Sequence, residues 1–249
     1  TGKAEADGSG RKITQGASLM AMSAFAKAGM PLVERFDTSV SEIEAAREAG
    51  IAAVVTDHHQ PGERLPACPI VHPAVCGYPF AGLCGAAVAH KLVAALEREL
   101  GDGDPADRDL DLVALATIAD LVPLVGENRS LARRGIAELR LARRPGVRAL
   151  IAAAGIEPER LDEGDIAFRL APRLNAAGRL YRADAGVELM LTGDAGRARE
   201  IAAELDAANR ERRDTERAVS NEAEAALRAL PEADRDAPAL VLAGEGWHP

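Results

Sequence analysis

Apolar residues fall in two patterns along this chain. Short runs bounded by turn residues occur at 51–55 (Ile-Ala-Ala-Val-Val) and 239–243 (Ala-Leu-Val-Leu-Ala), with weaker ones at 32–36 and 69–71. Such runs predict buried strands of a parallel sheet. Between them, apolar positions recur at helical spacing over 17–29, 41–49, 85–100 and 110–118, and glycines 29, 50 and 101 stand where helices stop. Ser39 or Ser41 is placed to cap the second of these helices, with Ile43, Ala46 and Ala49 along one side. Strand 32–36, helix and strand 51–57 make a β-α-β unit, whose strands are parallel neighbours. Asp37 and Asp57-His58-His59 should then end side by side on one edge of the sheet.

The rest of the chain is more broken. Residues 60–79 read as a loop, with prolines at 61, 66, 69, 73 and 79 and with His72 as a loop residue. Residues 158–165 read as an acidic linker. Pro172 predicts a helix break within 166–182, with Arg173, Asn175 and Arg179 gathered in a turn beside Gly178. Residues 194–230 predict one long polar helix of about 55 Å, with apolar positions too sparse to fill a core, so that it bridges two lobes. Pro231 ends it, and 232–238 form a linker before the 239–243 strand, which no later strand follows. The chain opens at Thr1 rather than Met and stops soon after that strand, so we expect a piece of a longer protein.

Composition narrows the class. Hydrophobic residues are 47% and charged residues 28%, as suits a globular fold. Aromatics are only 3%, which leaves the core to aliphatic residues and argues against base stacking as a binding mode. A net charge of −9 excludes an overall basic coat but allows a local groove. Residues 129–148 carry seven arginines against Glu138 alone, a pattern that suits phosphate backbones or an ordinary solvated helix. No apolar run reaches membrane-spanning length and no secretory signal opens the chain. Cys68, Cys76 and Cys84 form no Cys-x-x-Cys pair and read as reduced thiols of a cytoplasmic protein.

The candidate chemistry sits at the strand ends. Ligands of open α/β sheets collect beyond the carboxyl ends of the strands, where Asp57, His58 and His59 lie. One carboxylate and two imidazoles suit a divalent metal such as Mn²⁺ or Zn²⁺, or a phosphate; they also fit a polar strand end facing water. Asp120 stands among apolar residues, where an unpaired carboxylate is costly, which makes it a ligand candidate. Glu5-Ala6-Asp7-Gly8 pairs two acids and reads either as a solvated turn or as a further ligand source. His90 reads as a packed or surface residue, and the acids of 102–109 as a solvated loop without calcium-loop spacing.

Val55-Thr56-Asp57-His58-His59 resembles the signature of the DHH phosphoesterase superfamily. Four further stretches narrow the resemblance to its RecJ-like single-strand-specific exonucleases. They are Tyr78-Pro79-Phe80 with Leu83-Cys84-Gly85-Ala86; residues 116–124 (Ala-Thr-Ile-Ala-Asp-Leu-Val-Pro-Leu) with Gly126-Glu127-Asn128-Arg129; Pro172-Arg173-Leu174-Asn175-Ala176-Ala177-Gly178-Arg179-Leu180; and Gly246-Trp247-His248-Pro249. The resemblance implies an α/β fold: a parallel sheet flanked by helices (the DHH domain, residues 1–182), a long connecting helical segment (183–236) and the truncated start of a second α/β domain, DHHA1 (237–249). It implies two divalent ions, Mn²⁺ or Mg²⁺, with Asp37, His58, Asp120 and Asp7 as ligands. Asp57 would orient the histidines and His59 would face the scissile phosphate. Arg173, Asn175 and Arg179 would hold a nucleic-acid phosphate near the 5′ end. The implied activity is 5′→3′ hydrolysis of single-stranded DNA to 5′-mononucleotides in repair and recombination. The implied partners are single-stranded DNA and a single-strand-binding protein or helicase, with no membrane. The chain departs from the family at Glu5, where an Asp is usual, and at Thr38-Ser39, where Cys-Gly is usual. These departures leave two alternatives: a phosphatase acting on pyrophosphate or short oligonucleotides, and a metal-poor DNA- or partner-binding paralogue.

Overall fold

A three-stranded parallel sheet opens the structure, and helices make up the remainder. The computed structural model describes residues 32–33, 40–100, 109–179, 184–235 and 237–247. The expected helix at 17–29, the acids of 5–8, Asp37 and the acidic 102–108 loop lie outside the described residues. Strand β1 (Leu32–Val33) is followed by helix α1 (Val40–Glu48), β2 (Val54–Thr56) and β3 (Ile70–Val71). The sheet order is β1-β2-β3, with Leu32 opposite Val54 and Val55 opposite Ile70. The β-α-β unit is therefore as expected, and the carboxyl end of β2 lies between those of its two neighbours. The strand expected over 51–57 is shorter, because Ile51 and Ala52 are exposed and only Val55 and Thr56 are buried within β2. Val55 packs with Ile43 of α1, with Ala53, Cys68 and Ile70 alongside.

A larger helical core follows. It is built by α2 (Gly85–Leu100), α3 (Leu110–Ala119), α4 (Gly126–Leu141) and α5 (Pro145–Ala153). Helix α3 is apolar nearly all round and accordingly buried on most of its surface. It approaches α4 closely at Gly135, where a methyl group would overlap the Leu110 carbonyl oxygen and the Ala114 side chain. The three cysteines are free, and burial pushes the Cys84 thiol above its ordinary value.

The second half corrects several expectations. Residues 158–165 are not a linker: Pro158–Arg160 is a 3-10 turn, Leu161 is fully buried, and Asp162 and Asp165 form a capping box. Pro172 does not end its helix. The run α6 passes from Glu163–Asp165 through a π-helical turn, Ile166–Leu170, into Ala171–Asn175 and a 3-10 turn, Ala176–Arg179. The wider π turn sits just ahead of the proline, where an α-helical carbonyl would meet its ring. Helix α7 (Ala185–Leu191) leads to α8 (Ala195–Ala229), 35 residues long and capped by Asp194 Oδ1, which accepts from Gly196 and Arg197 N–H. The first half of α8 is core, not bridge: Ala198, Ile201, Ala202, Leu205 and Ala208 are buried. Beyond Arg210 its residues are largely exposed. A short helix, α9 (Glu232–Arg235), follows.

Residues 239–243 form no strand, and Val241 is almost wholly exposed. A single apolar run has no ladder to join until a neighbouring strand supplies the backbone partners. None of the described helices is long and apolar enough to cross a membrane.

Gly135→Ala should destabilise the fold by about 1–3 kcal/mol through overpacking between α3 and α4, read from urea unfolding midpoints. A midpoint equal to wild type would show that the two helices are not held at this distance.

Candidate metal centre

The site begins with a carboxylate that the fold has swallowed. Asp57 follows β2 directly, its N–H donates to the Val71 carbonyl at 3.1 Å, and its side chain has no exposure. Asp57 Oδ1 accepts from the backbone N–H of His58 (2.6 Å), from that of His59 (3.0 Å) and from the His59 ring at Nδ1 (2.7 Å). These bonds compensate the carboxylate for lost water and fold the chain back over it. They also fix the His59 tautomer. With its proton on Nδ1, the ring keeps a lone pair on Nε2, and half of its side-chain surface faces solvent.

His58 points elsewhere. Its Nε2 lies 3.4 Å from Asp120 Oδ2, and its ring centroid lies 4.4 Å from that of His59. Burial lowers the His58 pKa from its ordinary value of 6.5; the Asp120 carboxylate opposes that shift and His59 adds to it. At neutral pH the imidazole is therefore uncharged, and the pair presents a nitrogen lone pair and a carboxylate oxygen to the same space. Two ligands each about 2.1 Å from one cation at near-right or tetrahedral angles lie roughly 3.0–3.4 Å apart. The His58–Asp120 separation fits that donor set. Ligand atoms of Asp57, His58 and His59 also lie within 4.8 Å of one another. Asp57 Oδ1, however, is already spent on three N–H donors, which marks Asp57 as an orienting group.

Asp120 is not buried as expected; it caps the C-terminus of α3 with its side chain 40% exposed. Its loop is held by other means. Leu121, the next residue, has φ 57°, the left-handed conformation usually left to glycine at this position, and is largely exposed. Asn128, fully buried at the start of α4, donates from Nδ2 to the Pro123 carbonyl (3.1 Å) and to the Gly82 carbonyl (2.6 Å). Its Oδ1 finds no partner among the described residues. Phe80 lies against Gly126, where an added Cβ would come within 2.8 Å of the ring. Tyr78 donates to Glu127 at 3.1 Å, and Glu127 also pairs with Lys91. The stretches at 78–86 and 116–129 thus form one clasp around the Asp120 loop.

The remaining candidates are distributed. Arg173 is turned inward: its Nε donates to Asp206 of α8 at 2.9 Å and its guanidinium to the Arg169 carbonyl at 2.6 Å. Asn175 is exposed, and the Arg179 side chain lies outside the described residues. The arginine stripe is largely used within the fold. Arg140 donates to the Leu161 carbonyl, Arg143 pairs with Glu138, Arg144 with Asp109 and Asp111, and Arg148 bonds the Ala142 carbonyl. Arg129 and Arg133 stay exposed on α4. His90 is buried, which lowers its pKa.

His72, read from the sequence as a loop residue, is 3% exposed and bonded to His59. The available signal was topological: it is the first residue past β3, on the same edge as Asp57.

Residues 30–117 match the DHH family, N-terminal domain. The chain is 41% identical over 227 residues to the single-stranded-DNA-specific exonuclease RecJ of Bacillus subtilis, covering 89% of this chain and 28% of that protein. It is 38% identical over 238 residues to the RecJ of Escherichia coli, covering 88% of this chain and 41% of the relative. A solved structure of RecJ from Thermus thermophilus in complex with Mn²⁺ superposes with a TM-score of 0.68 at 36% identity, over 86% of this chain and 32% of that one. Its complex with Mg²⁺ gives a TM-score of 0.64 at 32% identity, over 87% of this chain and 33% of that one. The chain therefore spans well under two thirds of the relatives it matches.

Asn128→Ala should leave the buried Gly82 and Pro123 carbonyls without their donor and cost about 1–3 kcal/mol of stability, measured by denaturant unfolding. An unchanged unfolding curve would mean that the Asp120 loop is held by something other than this side chain.

Proposed function

From the premise that this chain is a RecJ-like member of the DHH family, we propose that it is the catalytic lobe of a divalent-metal-dependent 5′→3′ single-strand DNA exonuclease. It would hydrolyse phosphodiesters to 5′-mononucleotides in DNA repair and recombination, in the cytoplasm, alongside a single-strand-binding protein or helicase. The observation that carries this reading is the 3.4 Å approach of His58 Nε2 to Asp120 Oδ2, which joins two distant stretches of sequence at one sheet edge.

In this reading two ions, Mn²⁺ or Mg²⁺, are held by His58 and Asp120 together with Asp37 and Asp7. When bound, they lower the pKa of a water and offset charge developing on the phosphate. The single imidazole among carboxylates favours Mn²⁺. Asp57 keeps His59 in one tautomer, so that Nε2 faces the scissile phosphate, where it takes or gives a proton. Asn175 and Arg179 hold the phosphate near the 5′ end, and Arg173, tied to Asp206, locks their turn against α8. We assign residues 1–182 to the DHH domain, 183–236 to the connecting segment and 237–249 to the start of DHHA1. The buried first half of α8 belongs structurally with the domain it follows.

The test is Mn²⁺-dependent release of 5′-mononucleotides from 5′-phosphorylated single-stranded DNA, graded by length against pyrophosphate and dinucleotides. Asp120→Asn should lower that release by at least about 100-fold while the fold melts normally. Release unaffected by the substitution would remove Asp120 from the metal site. A preference for pyrophosphate or dinucleotides would replace the exonuclease by a small-substrate phosphatase.

A further inference from the structure

We propose that His72 is a positioning residue that fixes His59 from the side opposite Asp57, through the His59 backbone carbonyl. The proposal rests on the exonuclease reading for its catalytic consequence, but its geometry stands apart from it.

His72 Nδ1 accepts from the N–H groups of Ala74 (3.1 Å) and Val75 (3.3 Å). A ring nitrogen that accepts from backbone N–H carries no proton, so the proton of neutral His72 sits on Nε2. That Nε2 lies 2.8 Å from the His59 carbonyl oxygen and so donates to it. The ring is buried, so water competes little for either bond.

The consequence falls on His59. Past Asp57 the chain leaves the strand ladder, and among the described residues no backbone–backbone hydrogen bond ties 58–65 to the sheet. The His59 N–H and ring Nδ1 are held by Asp57; its carbonyl is held by His72. With both ends of the residue tied, the ring has a fixed base from which to aim Nε2. Remove the His72 bond, and only the carboxylate side remains. Because β3 is parallel to β2, its first residue beyond the strand is the one that reaches this carbonyl.

The two roles of the ring can be separated. In His72→Asn the side-chain oxygen takes the place of Nδ1 and keeps the turn at 72–75, but the amide nitrogen stops short of His59. In His72→Gln the amide nitrogen reaches the position of Nε2 and keeps the donor to the His59 carbonyl. We expect His72→Ala to lower kcat on single-stranded DNA about tenfold or more. KM and calorimetric Mn²⁺ affinity should stay within about twofold. His72→Gln should recover most of kcat, and His72→Asn little. Recovery by Asn and not by Gln, or a wild-type kcat in His72→Ala, would overturn the proposal, leaving His72 as a turn residue.

A second readout does not depend on activity. In ¹⁵N imidazole spectra of the wild type, His72 should show the Nε2–H tautomer and His59 a single Nδ1–H tautomer. The His59 signals should average between tautomers in His72→Ala and return in His72→Gln. His59 signals that ignore His72, or a His72 proton on Nδ1, would defeat the proposal even in a protein that cuts DNA. A wild type that releases no nucleotide would defeat the exonuclease reading, while these spectra still decide the role of His72.

Discussion

The structure of the site depends on one buried carboxylate. Asp57 sits at the end of the central strand with no solvent exposure, and its charge is tolerable there because three N–H groups converge on one oxygen. Two of these belong to the next two residues, so satisfying the acid dictates the path of the chain. That path sends the two imidazoles apart: His59 is tied to the acid and half exposed, and His58 is turned toward Asp120. Tripeptide, tautomer and aim are consequences of the same three bonds.

The opposite wall of the site is held differently. Asp120 lies on a loop whose next residue, Leu121, occupies left-handed backbone space without being glycine, at a cost of about 1–2 kcal/mol. Asn128, Phe80 and the Tyr78–Glu127–Lys91 group offset that cost by fastening the loop to the segment before α2. Strain of this kind persists only where the surroundings over-determine it. Here it brings an acid from the end of α3 to within coordination range of an imidazole on the sheet.

Much of this was legible in the sequence, for a physical reason. A β-α-β unit has one handedness and one edge, so 32–57 alone placed Asp57, His58 and His59 where the structure has them. The helices over 40–48, 85–100 and 110–119 were legible from period and glycine stops. What was not legible depended on neighbours. A proline reads as a break unless a π turn absorbs it, as at 166–170. Ala-rich stretches of α8 looked too sparse for a core, yet small residues are what let it lie against α5 and α7. His72 carried no period or motif; its role appears only once β3 is known to run parallel to β2. The acids at 7 and 37 fall outside the described residues, so their place at the site stays a proposal.

Anomalous scattering from crystals of the protein grown with Mn²⁺ would locate the cation outright. We expect an ion bound jointly by His58 Nε2 and the Asp120 carboxylate, beside an Asp57 that remains buried and bonded to His59. Manganese bound elsewhere, with His58 and Asp120 in direct contact and no ion shared between them, would contradict the metal site described above.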